Sequence, residues 1–275
     1  YTLVYTLSLH DALPILRTAL SEFRASYRKD VSLPMKPIYE MAVEFFKRLE
    51  NISYKFFDSV IVNSENTKSR MLERKLAKEE EISVINPGAD VENSESGEYE
   101  NYFLYPTRFR RYKRQDLVIE AFKEADLDDF ELILAGSNQE KSYVKELEEK
   151  AKNNNNIQIE TDVSEERWQQ LYRNAYTVLF AAEKEDWGIV PIEAGSYGKP
   201  VISVNEGGPT ESIIDGKTGF LVEATPEAFA DKMNLLAKDF DKVKEMGKKA
   251  REESKKYSWN NFAKNVDQEV EKWSQ

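Results

Sequence analysis

Short apolar runs alternate with amphipathic stretches along most of the chain, and the alternation becomes regular after residue 100. The runs YFLYPT (102–107), FELILAG (130–136) and YTVLFAA (176–182) are each six or seven residues long and mostly apolar. Parallel strands have this composition because helices cover both faces of their sheet. The stretches between the runs carry apolar residues at helical spacing. The pattern therefore predicts an α/β fold with a doubly wound parallel sheet.

The predicted elements of this regular part follow one another without an internal repeat. Predicted strands lie at 102–107, 130–136, 157–163, 176–182, 200–205 and 219–224, and predicted helices at 114–125, 140–152, 164–175, 187–198 and 210–216. Thr225 followed by Pro226 begins another helix, since a capping residue and a first-turn proline favour helix initiation. Ser258 begins the last helix.

Residues 16–90 alternate in the same way but hold too few elements for a complete lobe. The segment 36–57 predicts a core-facing helix with an apolar stripe at Phe45, Leu49, Ile52 and Phe56. A short strand at 60–62, a polar helix after Ser64 and a strand that ends at the Asn-Pro-Gly turn 86–88 follow. The polar and acidic segment 91–100 is predicted to be a linker.

The beginning of the chain raises a separate question because it holds the single histidine, His10, beside Asp11. Residues 6–15 (TLSLHDALPI) resemble the translation of a common sequencing-library adapter. We therefore interpret residues 1–15 as a non-native segment and exclude them from the fold prediction. The alternative is a genuine N-terminal strand with a working His10–Asp11 pair.

The amino-acid composition excludes several kinds of functional site. The 275 residues carry a net charge of −11 and include no cysteine, which excludes disulfides, thiolate metal sites and cysteine nucleophiles. With one histidine, a zinc site is not expected. No apolar run reaches the ~18 residues that span a bilayer, and the first fifteen residues lack the basic start of a signal peptide, so we expect a cytoplasmic protein. Any site for a polyanion must be a local basic cluster.

One such cluster follows the strand 102–107. The segment TRFRRYKR holds Arg108, Arg110, Arg111, Lys113 and Arg114. At the carboxyl end of a parallel strand this cluster suits a phosphate or pyrophosphate. A solvated basic face remains an equal alternative from this stretch alone. Nucleic acid fits less well because the cluster has few aromatic residues on which bases could stack.

A second candidate site follows the strand 176–182. Glu185 and Glu193 are separated by seven residues, with Gly188 between them and the predicted helix around them. The backbone N–H groups of Gly188 and Ile189 at that helix start suit an anion, and carboxylates accept hydrogen bonds from sugar hydroxyls. This combination fits a nucleotide sugar. A dehydrogenase-type dinucleotide site is not supported, because no strand is followed by G-x-G-x-x-G.

The segment EDWGIVPIEAGSYGKPVISVNEGGPTESIIDGKTGFLV resembles the donor-site signature of retaining GT-B glycosyltransferases of the family 4 type, with its E-x7-E motif. YPTRFRRYKRQDLVIEAF is similar to the Arg-then-Lys segment of that family, and VIVNSENTKSRM and ISVINPGADVE resemble its inter-lobe region. The likeness spans residues 16–275. It implies a Rossmann-like donor domain at 91–257, an acceptor-lobe remnant at 16–90, and a final helix at 258–275 that packs back toward the N-terminal lobe.

The resemblance also implies roles for particular residues. Arg108 and Lys113 would neutralise the donor pyrophosphate, Glu185 would contact the transferred sugar, and Glu193 would hold the ribose. Gly188 and Ile189 would offer amides to the phosphate or the sugar. The base would lie against the backbone near Val163, although Thr161 stands where the family often has glycine. The Gly207-Gly208-Pro209 loop either approaches the donor or only permits a turn.

The implied reaction moves a hexose from a nucleotide sugar to an acceptor hydroxyl with retention, without a metal or cofactor. GDP-mannose is the first candidate donor, and UDP sugars follow. The D-x-D sequence at 126–128 is interpreted as a solvated turn. A glycan or lipid-linked acceptor is expected, with peripheral membrane contact through the N-terminal lobe and no nucleic-acid partner.

Two complete lobes need about 300 to 400 residues, so the resemblance also leaves a second hypothesis open. The family commonly has an H-T-P-x-R segment, and Leu16-Arg17 looks like its end, so its histidine would have preceded Leu16. A chain that lacks this region would bind nucleotide sugar with little or no turnover. Missing core partners would leave Phe45, Phe46, Phe56 and Phe57 partly exposed and prone to association.

Overall fold

Residues 2–4 and 31–273 are described by the computed structural model, which divides the chain into two units, Tyr1–Asn86 and Pro87–Gln275. The boundary lies four residues before the predicted one at 90/91. The backbone explains the shift, because the Ala89 N–H donates to the Tyr257 carbonyl at 2.8 Å and Ala89 also bridges to Ser258. Residues 87–90 are therefore tied to the C-terminal segment.

The first unit contains a parallel sheet in the order β1-β2-β3, with strands β1 (Thr2–Val4), β2 (Ser59–Val62) and β3 (Ile82–Val84). Its helices are α1 (Lys36–Ser53) and α2 (Glu65–Glu73). Ser64 caps α2 as predicted, since its hydroxyl accepts from the Thr67 N–H at 2.9 Å. A small core of Val60, Val62, Met71 and Ile82 lies between α2 and the sheet.

The apolar stripe of α1 corrects one prediction. The helix forms where expected, but Phe45, Leu49, Ile52 and Phe56 are exposed, so the prediction of a core-facing stripe is wrong. Val43, on another face of the helix, is the buried residue. The predicted partial exposure of four phenylalanines is confirmed, because Phe45 and Phe56 are exposed and Phe46 and Phe57 are half-buried, while the predicted association stays a prediction.

Strand β1 falls within the segment 1–15 that the sequence prediction leaves out of the fold. Thr2 pairs with Ser59 and Val4 with Ile61. Pairing of this kind requires only extended backbone, so it leaves the non-native origin of residues 1–15 as a prediction. The adapter-like residues 6–15, His10 and Asp11 lie outside the described residues.

The second unit is built on a six-stranded parallel sheet in the order β6-β5-β4-β7-β8-β9. Its strands are β4 (Tyr102–Pro106), β5 (Glu131–Gly136), β6 (Ile157–Thr161), β7 (Thr177–Phe180), β8 (Val201–Val204) and β9 (Gly219–Val222). Strands β5 and β6 lie on one side of β4, and strands β7, β8 and β9 lie on the other. The switch point between β4 and β7 is where ligands bind in sheets of this kind.

Helices cover both faces of this sheet. They are α3 (Gln115–Ala125), α4 (Lys141–Ala151), α5 (Glu165–Asn174), α6 (Ile189–Ser196), α7 (Pro209–Ser212), α8 (Pro226–Ala237), α9 (Phe240–Ser254) and α10 (Trp259–Trp273). Alternate residues of β4 enter different cores. Phe103 and Tyr105 pack with α3, α4, α8 and α9, whereas Leu104 packs with α5 and α6. Both faces of the strand are therefore buried, as its apolar composition predicts.

Several boundaries in this unit differ from the prediction, and the end of α7 at Ser212 lies four residues before the predicted one. The helix α6 begins at Ile189, two residues later than expected, because Gly188 before it has a left-handed backbone (φ +79°) that does not continue a helix. The segment after Thr225 forms two helices, since Asp239 caps a second one by accepting from the Lys242 N–H at 3.0 Å. None of the helices described is both long and apolar enough to cross a membrane.

Candidate functional site

The loops that follow β4 and β7 meet at the switch point of the sheet. Lys113, in the loop after β4, and Glu185, in the loop after β7, form an ion pair with 2.5 Å between Nζ and Oε2. The Lys113 side chain is 8% exposed and that of Glu185 is 20% exposed. Two predicted site residues that are 72 positions apart in sequence are therefore in direct contact.

A buried tyrosine holds these two loops together. Tyr105 is fully buried, its hydroxyl donates to the Lys113 carbonyl, and it accepts from the Ala181 N–H at 3.1 Å. The Lys113 ammonium also lies 5.5 Å from the ring centre of Phe180, the last residue of β7. Neither aromatic was predicted to support the site, because an apolar strand residue and a site-supporting one look alike in sequence.

The basic cluster divides into residues with and without partners. The Arg110 Nε donates to Gln139, Arg111 pairs with Glu140 and Glu146, and Arg114 pairs with Glu206. Arg108 is exposed and has no ion-pair partner among residues 31–273. Arg110 and Arg111 therefore have protein partners, while the phosphate-binding role of Arg108 stays a prediction.

A cavity of about 450 Å³ lies beside Arg108 at the same edge of the sheet. Its lining residues come from the loops after β4, β5 and β6 and from the start of α5: Arg108, Gly136, Ser137, Asp162, Val163, Glu165 and Trp168. Two residues that were predicted separately, Arg108 and Val163, thus line one space. Asp162 has a left-handed backbone (φ 54°), which places its Oδ1 3.0 Å from the Asn138 N–H. Trp168 was not predicted to take part.

The start of α6 provides backbone donors near the ion pair. Gly188, with φ +79°, precedes the helix, and no side chain among those described caps it. The first N–H groups of α6, beginning with Ile189, therefore keep their capacity for an acceptor. The positive end of the helix dipole adds to their attraction for an anion.

Glu193 lies one turn inside α6 and is bound by a tyrosine. The Tyr172 hydroxyl donates to Glu193 Oε2 at 2.7 Å. Burial raises the pKa of the Glu193 carboxyl, and the hydrogen bond from Tyr172 opposes that rise. Tyr172 was not predicted to take part in the site.

The glycine loop after β8 supports the segment that carries Glu185. The Gly208 N–H donates to the Glu185 carbonyl at 2.9 Å. A Cβ on Gly207 would lie 2.4 Å from that carbonyl oxygen, and one on Gly208 would lie 2.4 Å from the Trp187 oxygen. The two glycines thus allow one backbone to lie directly against the other.

The D-x-D sequence lies at the edge of the sheet opposite the candidate site. Asp126 ends α3 and Asp128 lies in the turn before β5, at the amino end of the strands. In the described part of the chain, no group of three or more His, Asp or Glu side chains could hold a metal ion.

A doubly wound parallel sheet with cationic and carboxylate groups at its switch point defines a class of nucleotide-dependent α/β enzymes. The model of the glycosyl transferases group 1 family matches residues 89–253, which is more than half of the chain. The chain therefore belongs to the group 1 glycosyl transferases. This result confirms the resemblance found in the sequence.

Curated relatives of this chain include mannosyltransferases. The chain is 31% identical over 191 residues to the alpha-1,3/1,6-mannosyltransferase ALG2 of Dictyostelium discoideum, an alignment that covers 62% of this chain and 46% of the relative. The corresponding protein of Saccharomyces cerevisiae is 27% identical over 249 residues, with 71% of this chain and 49% of the relative covered. The chain thus spans about half the length of the curated relatives it matches.

Solved structures confirm the fold class. Anabaena Alr3699/HepE, crystallised with UDP and glucose, superimposes with a TM-score of 0.76 at 20% identity and covers 83% of this chain and 67% of its own. The α/β fold of GT-B type is therefore confirmed. The structure brings the predicted site residues to one edge of the sheet, while their roles stay predictions. These residues are Arg108, Lys113, Glu185, Glu193, Gly188, Ile189 and Val163.

Proposed function

We propose that the second unit binds a nucleotide sugar and that the complete protein transfers its hexose to an acceptor hydroxyl with retention. The observation that carries this proposal is the meeting of the Lys113–Glu185 pair and the Arg108-lined cavity at the carboxyl edge of one parallel sheet. The donor diphosphate would lie between Arg108, Lys113 and the start of α6. Its base would occupy the cavity beside Val163.

The proposed reaction exchanges one bond at the anomeric carbon for another. The bond between the anomeric carbon and the β-phosphate oxygen breaks, and a bond from the acceptor oxygen to the same face of that carbon forms. The acceptor hydroxyl proton passes to the departing phosphate. Negative charge grows on that phosphate, where Arg108, Lys113 and the α6 amides stabilise it by preorganised electrostatics. Glu185, already held by Lys113, would contact the transferred sugar.

GDP-mannose is the donor that we propose first. The relatives named above are mannosyltransferases, which supports mannose. The cavity is lined by two carboxylates, Asp162 and Glu165. Carboxylates accept hydrogen bonds, and guanine offers an N1–H and an amino group where uracil offers one N–H. UDP-glucose is the second candidate, since HepE was crystallised with UDP and glucose.

The proposal also includes the use of metals and cofactors, the acceptor and the location of the reaction. Arg108, Lys113 and the helix start supply the positive charge at the diphosphate, so the proposed reaction uses no metal or cofactor. The proposed acceptor is a glycan or lipid-linked hydroxyl. The proposed location is cytoplasmic, with peripheral membrane contact through the N-terminal lobe.

A binding-only chain is the alternative function. The chain spans about half the length of its curated relatives, and the region that would read the acceptor is the part with the fewest elements. Such a chain would hold the donor with little turnover. Measuring sugar transfer beside donor binding separates the two, because binding without transfer supports the alternative.

Arg108→Ala tests the donor site, with Arg110→Ala as its matched control. Arg108 lines the cavity, whereas Arg110 donates to Gln139, and both variants remove one positive charge. A charge-assisted hydrogen bond to phosphate contributes about 1.5–3 kcal/mol, so we expect Arg108→Ala to weaken GDP and GDP-mannose binding roughly tenfold to a hundredfold. Arg110→Ala should stay within about twofold. Isothermal titration calorimetry measures both affinities.

Equal losses in the two variants would mean that the cluster acts only through its summed charge. An Arg108→Ala protein that binds like the wild type would exclude the donor site from this edge of the sheet. Running UDP and UDP-glucose in parallel decides between the two proposed donors.

A further inference from the structure

Tyr172 is a buried residue of α5 whose hydroxyl reaches across to another helix. Its side chain is about 1% exposed, and its hydroxyl lies 2.7 Å from Glu193 Oε2 on α6. Two other buried tyrosines of this unit, Tyr102 and Tyr176, donate to the backbone carbonyls of Leu171 and Leu236, while Tyr143 donates to the carboxylate of Asp116. Tyr172 donates to the carboxylate that is proposed to hold the ribose.

Aromatic neighbours fix the ring of Tyr172 on two sides. Tyr197 stacks on it, with 5.5 Å between ring centres and 17° between planes. Trp168 meets it edge to face, with 5.7 Å between centres and 69° between planes. Such contacts hold the ring in place, and the position of the ring fixes the position of its hydroxyl. Trp168 also lines the cavity, so the Tyr172 ring contacts one of the cavity's lining residues.

The hydrogen bond also favours the ionised form of Glu193. Burial and the charge of Glu165 raise the pKa of the Glu193 carboxyl, and the bond from Tyr172 lowers it. The groups that face this carboxyl are Tyr172, Tyr197 and Glu165. An ionised carboxylate accepts hydrogen bonds through both oxygens and donates none, whereas the protonated form turns one oxygen into an O–H donor.

We propose that Tyr172 is a positioning residue for the donor, whose hydroxyl engages Oε2 of Glu193 and leaves Oε1 to accept from the ribose hydroxyls. The inference rests on the proposed role of Glu193. It assigns to α5 a function that the E-x7-E segment does not contain. Tyr172 itself touches neither the reacting atoms nor the transferred sugar.

Tyr172→Phe tests this role by calorimetry with GDP and UDP and with the 2′,3′-dideoxy form of each. The variant should bind the ribonucleotides about tenfold more weakly and the dideoxy nucleotides as the wild type does, because only the former need Glu193. Tyr102→Phe is the matched control, since it removes a buried hydroxyl bound to the neighbouring Leu171 carbonyl. It should leave all four affinities unchanged.

The pH dependence gives a second readout that a structural role would not move. Without the bond from Tyr172 the Glu193 carboxyl protonates at higher pH, so the acid limb of ribonucleotide affinity should shift upward in Tyr172→Phe. Equal weakening of both nucleotide forms, with no such shift, would overturn the positioning role. A wild type that does not distinguish ribose from dideoxyribose, or that binds neither nucleotide, would instead remove the role of Glu193 and this inference with it.

Discussion

Lys199 is a charged residue buried without a hydrogen-bond partner among the described residues. Its side chain is fully buried, and its ammonium lies 3.6 Å above the ring centre of Tyr99. Burial lowers the pKa of Lys199 from 10.5 to about 8, a shift that the charge of Glu100 only partly opposes. Desolvation therefore outweighs the attraction of the Glu100 charge for the ammonium.

Lys199→Met should stabilise the protein at neutral pH. Below about pH 8 the folded wild type holds a buried charge, and a shift of this size corresponds to about 3 kcal/mol as an upper bound. Between pH 8 and pH 10.5 the unfolded lysine binds a proton that the folded one has lost, so wild-type stability rises with pH. The advantage of the variant should thus be about 1–3 kcal/mol at pH 7 and shrink toward pH 10.5.

Urea unfolding at pH 7, 9 and 10.5 measures this difference. Lys248→Met, on the exposed side of α9, is the matched control and should change the free energy of unfolding by less than about 0.5 kcal/mol at each pH. A Lys199→Met protein that is less stable than the wild type at pH 7 would show that the Tyr99 contact outweighs the cost of burial.

The charged residues of the candidate site were predictable from the sequence, because their side chains indicate a chemical role by themselves. Arg108, Lys113 and Glu185 lie in loops after strands, where parallel topology brings them together, and Glu193 lies one turn inside the helix that follows. Tyr172 was not predictable in the same way. Its apolar spacing on α5 is that of a core residue, and only the packing of α5 against α6 shows that its hydroxyl meets Glu193.

At the scale of elements, the loop at Gly207 and Gly208 allows a sharp test. Gly207 and Gly216 both have positive φ, +63° and +70°, so alanine strains the backbone by about 1 kcal/mol at either position. A Cβ on Gly207 would lie 2.4 Å from the Glu185 carbonyl oxygen, while one on Gly216 would have no atom within 4 Å. The two variants differ in their contact with Glu185.

Gly207→Ala should therefore displace Glu185 from Lys113 and weaken nucleotide-sugar binding by about tenfold or more, whereas Gly216→Ala should bind normally. Calorimetry with GDP-mannose and UDP-glucose measures the affinities, and thermal unfolding of both variants checks that their stabilities match. Unchanged binding in Gly207→Ala would separate the glycine loop from the site and leave it as a simple turn.

Most strands and helices of the second unit were predictable because their apolar pattern follows from burial on both faces. The exceptions have local causes. The break between α8 and α9 depends on the Asp239 cap, and the late start of α6 depends on the left-handed backbone of Gly188. Neither cause is visible in periodicity, since a cap within polar helical sequence and a left-handed residue before a helix leave the apolar spacing unchanged.

At the scale of the whole molecule, the two units differ in how well they cover their apolar side chains. The second unit buries both faces of its sheet. In the first unit Met41, Phe45 and Phe56 are 68%, 59% and 69% exposed and lie on one stripe of α1 and the turn that follows it. The same spacing that predicts a buried helix face therefore produces an exposed one, because periodicity records the need for a partner and not its presence.

Such a stripe predicts association between copies of this chain. We expect the weight-average mass in sedimentation velocity to rise with concentration, and the double variant Phe45→Ser, Phe56→Ser to remain monomeric over the same range, since it removes both aromatic rings of the stripe. Leu235→Ser, at an isolated exposed position of α8, is the control and should associate like the wild type. Because the proposed donor site is built from residues of the second unit, nucleotide affinity should be equal in all three proteins. A wild type that stays monomeric at every concentration would show that the stripe is tolerated in water.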